Sequence, residues 1–199
     1  SIKNLNWFNI GGKTKIFFKP SSLKGLIDYL KLYAERNKIF ILGNGSNVLF
    51  DDDTYQGTVI KLGKSFSNIT LLDNETIIAG TAASQKKVSE FAKDNNISGL
   101  EFMSCIPGSI GGGIRMNSGC FKKEFKDILI SIQFIDFNGV VRSLPANKIN
   151  FNYRSIELPN DLIFLSATFK GKEKNSDEIS NYMNELNIIK NMAQPTKVK

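Results

Sequence analysis

The chain has 199 residues, of which 41% are hydrophobic and 23% are charged, a balance typical of a soluble folded protein. It contains no histidine, which excludes Ser-His-Asp and Cys-His catalysis and most kinds of metal site. Two cysteines, Cys105 and Cys120, are too few for a disulfide framework, so both are expected to be reduced thiols. The net charge of +7 is compatible with lysine-rich solubility or with an anionic partner, but the lysines are too scattered to form a basic nucleic-acid-binding arm.

Hydrophobic periodicity predicts the first elements of the chain. A helix is expected to begin after residues 20–22, because five apolar residues recur on one helical face. These residues are Leu23, Leu26, Ile27, Leu30 and Ala34. Two short apolar runs, residues 39–42 and 58–62, predict buried strands.

Turn signals next predict a hairpin and a second helix. Residues 73–75, Asp-Asn-Glu, connect two strands expected at residues 69–72 and 76–79. Ser84 is expected to cap a helix that ends near Gly99.

Later in the chain, apolar residues alternate between residues 128 and 134 and again over residues 163–169, which predicts two half-buried strands. An Asn-Gly pair at residues 138–139 predicts a tight hairpin turn after the first of them. A final helix is expected over about residues 176–192, with Pro195 stopping it. This mixed order of elements predicts an α+β fold rather than a doubly wound parallel sheet.

Residues 43–49, called here the first glycine loop, read Gly-Asn-Gly-Ser-Asn-Val-Leu and follow a predicted buried strand. Glycine lets backbone amides approach an anion, and Ser46 and Asn47 add side-chain donors. However, Val48 occupies the third glycine position of a dinucleotide fingerprint, and three aspartates follow instead of a helix, so a Rossmann interpretation fails. A phosphate-binding loop and an ordinary strand-to-turn connection both stay open.

Residues 105–119, called here the second glycine segment, include five glycines within the twelve residues that end at Gly119. Residues 104–119 show neither helical nor strand period, so a long shaped loop is expected. Ordering so many glycines is unfavourable, and the isoleucines and proline distinguish the segment from a flexible linker. These features predict either a flat cofactor lying against exposed main chain or a glycine-rich chain crossing with a purely structural role. At Gly112 a left-handed backbone is expected.

A third segment, residues 151–155, reads Phe-Asn-Tyr-Arg-Ser. Arginine stays charged and can bind carboxylates or phosphates through two parallel hydrogen bonds. From these residues alone, a packed surface arginine is the better interpretation of Arg154.

Taken together, these segments resemble the UDP-N-acetylenolpyruvoylglucosamine reductase (MurB) family in order and spacing, over nearly the whole chain. The matching residues are Asn9, Ile10, Gly11 and Gly12, the first glycine loop, residues 106–112, residues 115–119, and residues 153–155. The motif of the second glycine segment is specific for this family, whereas that of the first glycine loop is shared more widely among flavin enzymes of the vanillyl-alcohol-oxidase type.

The resemblance implies a two-lobed α+β fold of the vanillyl-alcohol-oxidase (PCMH) type that binds FAD between a first lobe, residues 1–62, and a second lobe, residues 63–199. It implies that the FAD pyrophosphate is surrounded by Gly43, Asn44, Gly45, Ser46, Asn47 and Val48. The remainder of the FAD site is then lined by Ile106, Pro107, Gly108, Ser109, Gly111, Gly112, Ile114, Asn117 and Gly119, and no metal is expected.

In this family NADPH reduces the flavin, which then passes hydride to the enolpyruvyl ether of UDP-N-acetylglucosamine enolpyruvate. Arg154 matches the family's active-site arginine, which would stabilise the developing enolate, and Tyr153 matches its substrate-binding neighbour. The family continues beyond Gln194 into a substrate domain that supplies a proton-donating serine and a glutamate. That domain is expected to be absent here, so this chain alone is expected to be incomplete for catalysis.

The resemblance also implies a cytoplasmic monomer that acts in peptidoglycan precursor synthesis, with a UDP-sugar and NADPH as partners and with neither nucleic acid nor membrane. Two alternatives stay open. One is another FAD oxidoreductase on the same fold, although the missing histidine argues against an oxidase whose flavin is attached through histidine. The other is a non-catalytic nucleotide-binding module or a basic nucleic-acid binder.

Overall fold

The computed structural model describes residues 1–34 and 38–194. The helices of this part are α1 Leu23–Tyr33, α2 Gln85–Asp94, α3 Ile110–Arg115 and α4 Ser176–Ala193. The strands are β1 Thr14–Phe18, β2 Lys38–Ile41, β3 Tyr55–Ile60, β4 Ile69–Leu71, β5 Thr76–Gly80, β6 Ile97–Ser98, β7 Gly119–Cys120, β8 Lys123–Glu124, β9 Leu129–Asp136, β10 Val141–Pro145, β11 Phe151–Asn152, β12 Ser155–Ile156, β13 Leu162–Lys170 and β14 Lys172–Glu173. The predicted stop at Pro195 lies outside the described residues.

A three-stranded parallel sheet occupies the first part of the chain, with the order β1-β3-β2. Helix α1 connects β1 to β2, and its predicted start is confirmed because the Ser22 hydroxyl accepts a hydrogen bond from the Gly25 amide at 3.1 Å. Parallel strands bring their carboxyl ends to one edge of the sheet. The first glycine loop leaves the sheet at this edge, directly after β2 and Leu42.

The second sheet has five antiparallel strands in the order β10-β9-β13-β5-β4. Both predicted hairpins are confirmed: β4 pairs with β5, and β9 turns into β10 at Gly139, whose φ is +80°. The predicted strand over residues 163–169 corresponds to β13, and the helix capped by Ser84 corresponds to α2. Mixed helices and sheets confirm the α+β prediction.

Strict alternation over residues 128–134 proves to be wrong. Thr168 of β13 pairs with Ser131 of β9, but the next residue of β13, Phe169, pairs with Leu129. Ile130 of β9 therefore has no direct partner on β13. This irregularity resets the alternation, leaving Ile130 exposed while Ile132 is buried.

The long loop expected over residues 104–119 is also wrong in part. A 3₁₀ turn ends at Cys105, and residues Ile110–Arg115 form the short helix α3. Ser109 caps this helix by accepting a hydrogen bond from the Gly112 amide at 3.3 Å, and Ile110 and Ile114 are fully buried one turn apart. Their burial offsets the low helix propensity of three consecutive glycines. Gly112 therefore lies in a helix, and the left-handed backbone expected there is not found.

The two sheets share an apolar cluster. Leu26 and Leu30 of α1 pack with Ile60 of β3 and with residues of the second sheet that include Ile135 and Ile163. The division into lobes at residues 62 and 63 stays a prediction. No helix of the described residues is long and apolar enough to cross a membrane.

Candidate functional site

The structure brings the first glycine loop against the second glycine segment. The Ser46 hydroxyl donates a hydrogen bond to the Pro107 carbonyl at 3.1 Å. A Cβ added at Gly43 would lie 2.5 Å from the Ser109 hydroxyl oxygen, and one added at Gly108 would lie 3.2 Å from the Ser46 hydroxyl oxygen. A side chain at either position would displace one of these hydroxyls, and the φ of +138° at Gly108 also disfavours any residue but glycine. The glycines at 43 and 108 therefore favour the close approach of the two segments.

Gly45 fixes the shape of the first glycine loop. Its φ of +69° lies in the left-handed region, and an added Cβ would stand 2.2 Å from the Leu5 carbonyl oxygen. Its own carbonyl accepts a hydrogen bond from the Trp7 amide at 3.0 Å. In the described part of the chain, the backbone N–H groups of residues 43–47 have no protein acceptor. A run of unpaired amides held in a turn is the feature that binds anions.

Two residues near these segments were not predicted from the sequence. Lys61, the first residue after β3, donates a hydrogen bond from its ammonium to the Gly43 carbonyl. Gln85 is buried at the start of α2, where its backbone N–H donates to the Gly108 carbonyl at 3.0 Å. The side-chain oxygen Oε1 of Gln85 is buried and has no partner within the described residues. Neither residue carries a sequence signal for this role, because each approaches a glycine-rich segment only in the folded structure.

The rest of the second glycine segment packs along residues 81–85. The amides of Ile110 and Gly111 donate to the carbonyls of Ala83 and Thr81, both at 2.9 Å. Gly112, by contrast, is exposed, and an added Cβ would meet only the Ser109 hydroxyl oxygen, at 3.5 Å. The protein's own packing therefore does not require glycine at position 112.

Three residues predicted to line the cofactor are engaged within the protein. Ile114 is fully buried in the core, and a Cβ at Gly119 would lie 2.6 Å from the Lys123 carbonyl oxygen. The amide nitrogen of the buried Asn117 side chain donates to Glu124 and to the Asn152 carbonyl, each at 3.2 Å, while its oxygen accepts from the Lys126 amide at 3.1 Å. Asn117 thus ties the second glycine segment to β11.

Tyr153 and Arg154 occupy the turn between β11 and β12. Tyr153 is 83% exposed, and the Arg154 guanidinium carbon lies 5.6 Å from the centre of its ring. Arg154 has a φ of +58°, which is unfavourable for a residue with a side chain. Among the described residues it forms no ion pair, and its side chain is exposed.

Glu157 holds this hairpin from one side. Its carboxylate accepts hydrogen bonds from the side-chain amides of Asn150 and Asn152, both at 2.9 Å. These bonds stabilise the ionised carboxylate and lower the pKa of Glu157, the Asn150 bond being the larger cause. The hairpin that carries Arg154 is therefore braced by Asn117 within the fold and by Glu157 at the surface.

A different role is found for Arg115, which the resemblance also covers. Its guanidinium donates to the carbonyls of Leu158 and Pro159 at 3.2 and 3.1 Å, and it lies 4.8 Å above the centre of the Phe164 ring. Burial lowers the pKa of Arg115 from its ordinary value. Arg115 thus fastens α3 to the segment before β13.

Comparison with known proteins places this geometry in a family. The FAD binding domain family matches residues 14–144, a range that contains both the first glycine loop and the second glycine segment. The chain belongs to the FAD binding domain family. This assignment confirms the predicted flavin-binding fold.

Among the relatives, the UDP-N-acetylenolpyruvoylglucosamine reductase of Pelagibacter ubique strain HTCC1062 is 58% identical over 198 residues, which are 100% of this chain and 66% of that protein. The reductase of Rickettsia bellii strain RML369-C is 42% identical over 197 residues, or 99% of this chain and 65% of that protein. The predicted resemblance to these reductases is confirmed. The chain spans about two thirds of the length of these relatives.

Solved structures show the same fold. The UDP-N-acetylenolpyruvylglucosamine reductase (MurB) from Thermus caldophilus superposes with a TM-score of 0.83 at 25% identity, covering 96% of this chain and 67% of that chain. Phl p 4.0202, a glucose dehydrogenase, superposes with a TM-score of 0.60 at 11% identity, covering 82% of this chain and 36% of that chain. The second likeness concerns the fold alone.

Proposed function

We propose that this chain is the flavin-carrying part of an NADPH-dependent UDP-N-acetylenolpyruvoylglucosamine reductase, and that it binds FAD noncovalently where the first glycine loop meets the second glycine segment. The observation that carries the proposal is the interlock of Ser46 with Pro107, which sets the unpaired amides of residues 43–47 beside the second glycine segment. The high identity to named reductases over the whole chain supports it.

Features of both segments fit such a cofactor. The amides of residues 43–47, which have no acceptor among the described residues, suit the FAD pyrophosphate, since amide dipoles stabilise an anion without adding bulk. The open face at Gly112 leaves main chain accessible to a flat group, and the unpartnered Oε1 of Gln85 can accept a hydrogen bond from a ligand. The proposed FAD-binding residues are Gly43, Asn44, Gly45, Ser46, Asn47, Val48, Ile106, Pro107, Gly108, Ser109, Gly111, Gly112, Ile114, Asn117 and Gly119.

For several of these residues the proposed role is indirect. Ile114 and Asn117 are buried and engaged within the protein, so they would act by holding the segment in place and not by side-chain contact. Asn44 and Asn47 are exposed and can reach a ligand directly.

The proposed reaction is the reduction of UDP-N-acetylglucosamine enolpyruvate to UDP-N-acetylmuramate, a step of peptidoglycan precursor synthesis. FAD, when bound, supplies the hydride chemistry, with NADPH as the reductant. Arg154 is the proposed catalytic residue: its guanidinium would stabilise negative charge that develops on the carboxylate side of the substrate. Tyr153, exposed beside it, is the proposed substrate contact.

The remaining parts of the proposal concern organisation. Lobes of residues 1–62 and 63–199 would enclose the FAD, and the further third present in the relatives would supply the substrate domain. We infer a cytoplasmic monomer whose partners are the UDP-sugar and NADPH.

One experiment tests the proposed activity. The full-length protein is reduced anaerobically with NADPH and then mixed with UDP-N-acetylglucosamine enolpyruvate, while flavin absorbance is followed. We expect bleaching by NADPH and recovery with the enolpyruvyl sugar. A protein that contains flavin and is reoxidised by oxygen but not by the enolpyruvyl sugar would instead be another oxidoreductase on this fold, and a protein without flavin would contradict the proposal.

A further inference from the structure

Lys61 lies at the carboxyl edge of the parallel sheet, where the three strand ends converge. Its backbone N–H donates to the Phe18 carbonyl at the end of β1 at 3.0 Å, and its side chain reaches across to the Gly43 carbonyl after β2. One lysine thus connects the ends of all three strands, since it follows β3 itself. Ligands of sheets with parallel strands bind at such carboxyl edges.

The charge of Lys61 has no counter-ion among the described residues. In the part of the chain that the structure describes, no carboxylate lies within 4.0 Å of its ammonium. The charged neighbour that acts on it is another cation, Lys19, which follows β1. Burial and, to a smaller extent, repulsion from Lys19 lower the pKa of Lys61. Both effects disfavour the ammonium, so an anion bound nearby would relieve an existing electrostatic penalty.

The position of the ammonium indicates which anion this would be. It is bonded to the carbonyl of Gly43, the first residue of the run whose N–H groups have no described protein acceptor. An ammonium has three hydrogens, and the bond to Gly43 uses one of them. Positive charge and unpaired amides therefore meet at the same turn.

We propose that Lys61 provides the counter-charge for the FAD pyrophosphate and holds the first glycine loop in its anion-binding shape. The proposal deepens the proposed function and rests on it, because it takes FAD to be the ligand. The Lys61 ammonium then has two roles: its bond to Gly43 shapes the loop, and its positive charge stabilises the diphosphate.

The test compares variants of Lys61 in equilibrium titrations of the flavin-free protein with FAD. Lys61→Met keeps the chain length and removes the charge, Lys61→Gln keeps a donor without charge, and Lys61→Arg keeps the charge. The matched control is Lys64→Met, three residues further on, where the lysine is exposed. We expect Lys61→Met and Lys61→Gln to raise the Kd for FAD by about 10- to 100-fold, the effect of losing one charge-assisted interaction, whereas Lys61→Arg retains most of the affinity and Lys64→Met resembles wild type.

Salt dependence separates the electrostatic role from a purely structural one. Between about 0.05 and 0.5 M salt, screening should weaken FAD binding by wild type more than by Lys61→Met or Lys61→Gln, because those variants lack the charge that salt screens. Circular dichroism establishes whether each variant is folded. If Lys61→Met does not fold, the comparison of FAD affinity and salt dependence is made with Lys61→Gln.

Three results would overturn the proposal. Wild-type affinity for FAD in Lys61→Met or Lys61→Gln would remove Lys61 from the site and leave the proposed function intact. Weakened binding with the same salt dependence as wild type would show that Lys61 only shapes the loop. A folded wild-type protein that takes up no FAD would overturn the proposed function and, with it, this proposal.

Discussion

The Ser46 hydroxyl donates a hydrogen bond to the Pro107 carbonyl at 3.1 Å, joining two segments that are 61 positions apart in the sequence. Gly43 and Ser109 meet beside this bond so closely that a Cβ at position 43 would displace the Ser109 hydroxyl. The two glycine-rich segments consequently form one structural unit, and a change in one is expected to alter the ligand affinity of both.

Replacing Ser46 with alanine removes this bond and tests the unit. We expect Ser46→Ala to lower the free energy of unfolding by about 1 kcal/mol, the usual contribution of one hydrogen bond, and to raise the Kd for FAD several-fold because the loops lose their register. Flavin fluorescence titration and chemical denaturation measure the two effects. Ser21→Ala, at an exposed serine, is the control, and unchanged FAD affinity in Ser46→Ala would show that the loops hold their positions without this bond.

Adjacent glycines of α3 provide a matched pair that separates ligand binding from folding. A Cβ at Gly112 would meet only the Ser109 hydroxyl oxygen at 3.5 Å, whereas one at Gly113 would lie 2.3 Å from Cζ of the buried Phe125. We expect Gly112→Val to keep its wild-type stability and lose FAD binding, because the valine occupies open space that the cofactor needs. Gly113→Val should instead lose at least about 2 kcal/mol of stability through overpacking. Denaturant unfolding and FAD titration of both variants measure these outcomes, and full FAD affinity in Gly112→Val would show that the open space at Gly112 is not part of the FAD site.

Acid should loosen the hairpin that carries Arg154. The pKa of Glu157 is lowered, so its stabilising effect is fully present above the ordinary pKa of a glutamate and is lost as the pH falls through the lowered value. We expect Glu157→Gln to flatten the decline of the melting temperature between neutral and acid pH. Glu185→Gln, on an exposed face of α4, is the control for the loss of one carboxylate. Parallel pH profiles of wild type and Glu157→Gln would show that the bonds from Asn150 and Asn152 do not stabilise the fold.

Arg154 should affect one half-reaction and not the other. In the full-length enzyme, Arg154→Ala is expected to leave flavin reduction by NADPH unchanged and to slow reoxidation by the enolpyruvyl substrate by about two to three orders of magnitude, the usual effect of losing one preorganised transition-state donor. Arg154→Lys should recover only part of the rate, because lysine keeps the charge without the forked geometry. Stopped-flow absorbance separates the two steps, and normal reoxidation in Arg154→Ala would leave Arg154 as a surface residue.

The left-handed backbone of Arg154 also predicts an effect of substitution on stability, which can be measured independently of the reoxidation rate. At a φ of +58°, glycine is the residue best accommodated, so Arg154→Gly is expected to be more stable than Arg154→Ala by about 1 kcal/mol while being equally impaired in reoxidation. Chemical denaturation of the two variants gives the comparison. Equal stability would show that the backbone at this turn relaxes in the variants.

The sequence predicted the elements whose signals are local. Ser22 and Ser84 cap their helices as expected, and the turn at Gly139 joins the predicted strands. The short helix α3 escaped prediction because three glycines oppose it locally, and it depends on tertiary burial of Ile110 and Ile114. Its signal was nevertheless present, as a serine cap followed by two isoleucines four residues apart.

For the site, the glycine-rich segments and Arg154 could be chosen from their residue types, whereas Lys61 and Gln85 could not. A single lysine after a strand normally faces solvent, and only the folded structure shows that this one reaches the Gly43 carbonyl. Likewise, only the folded structure shows that the side-chain nitrogen of Gln85 lies 3.4 Å from the Ser109 carbonyl oxygen, while its side-chain oxygen has no partner among the described residues. This contact joins α2 to a segment more than twenty residues away in the sequence.

FAD is proposed to bind noncovalently between the first glycine loop and the second glycine segment. Titration of the flavin-free protein with FAD, followed by acid precipitation of the saturated complex, tests it most directly. We expect saturable binding of about one FAD per chain and release of the whole flavin into the supernatant, as for a cofactor held without a covalent bond. A folded protein that shows no saturable uptake, or flavin that stays with the precipitated chain, would contradict it.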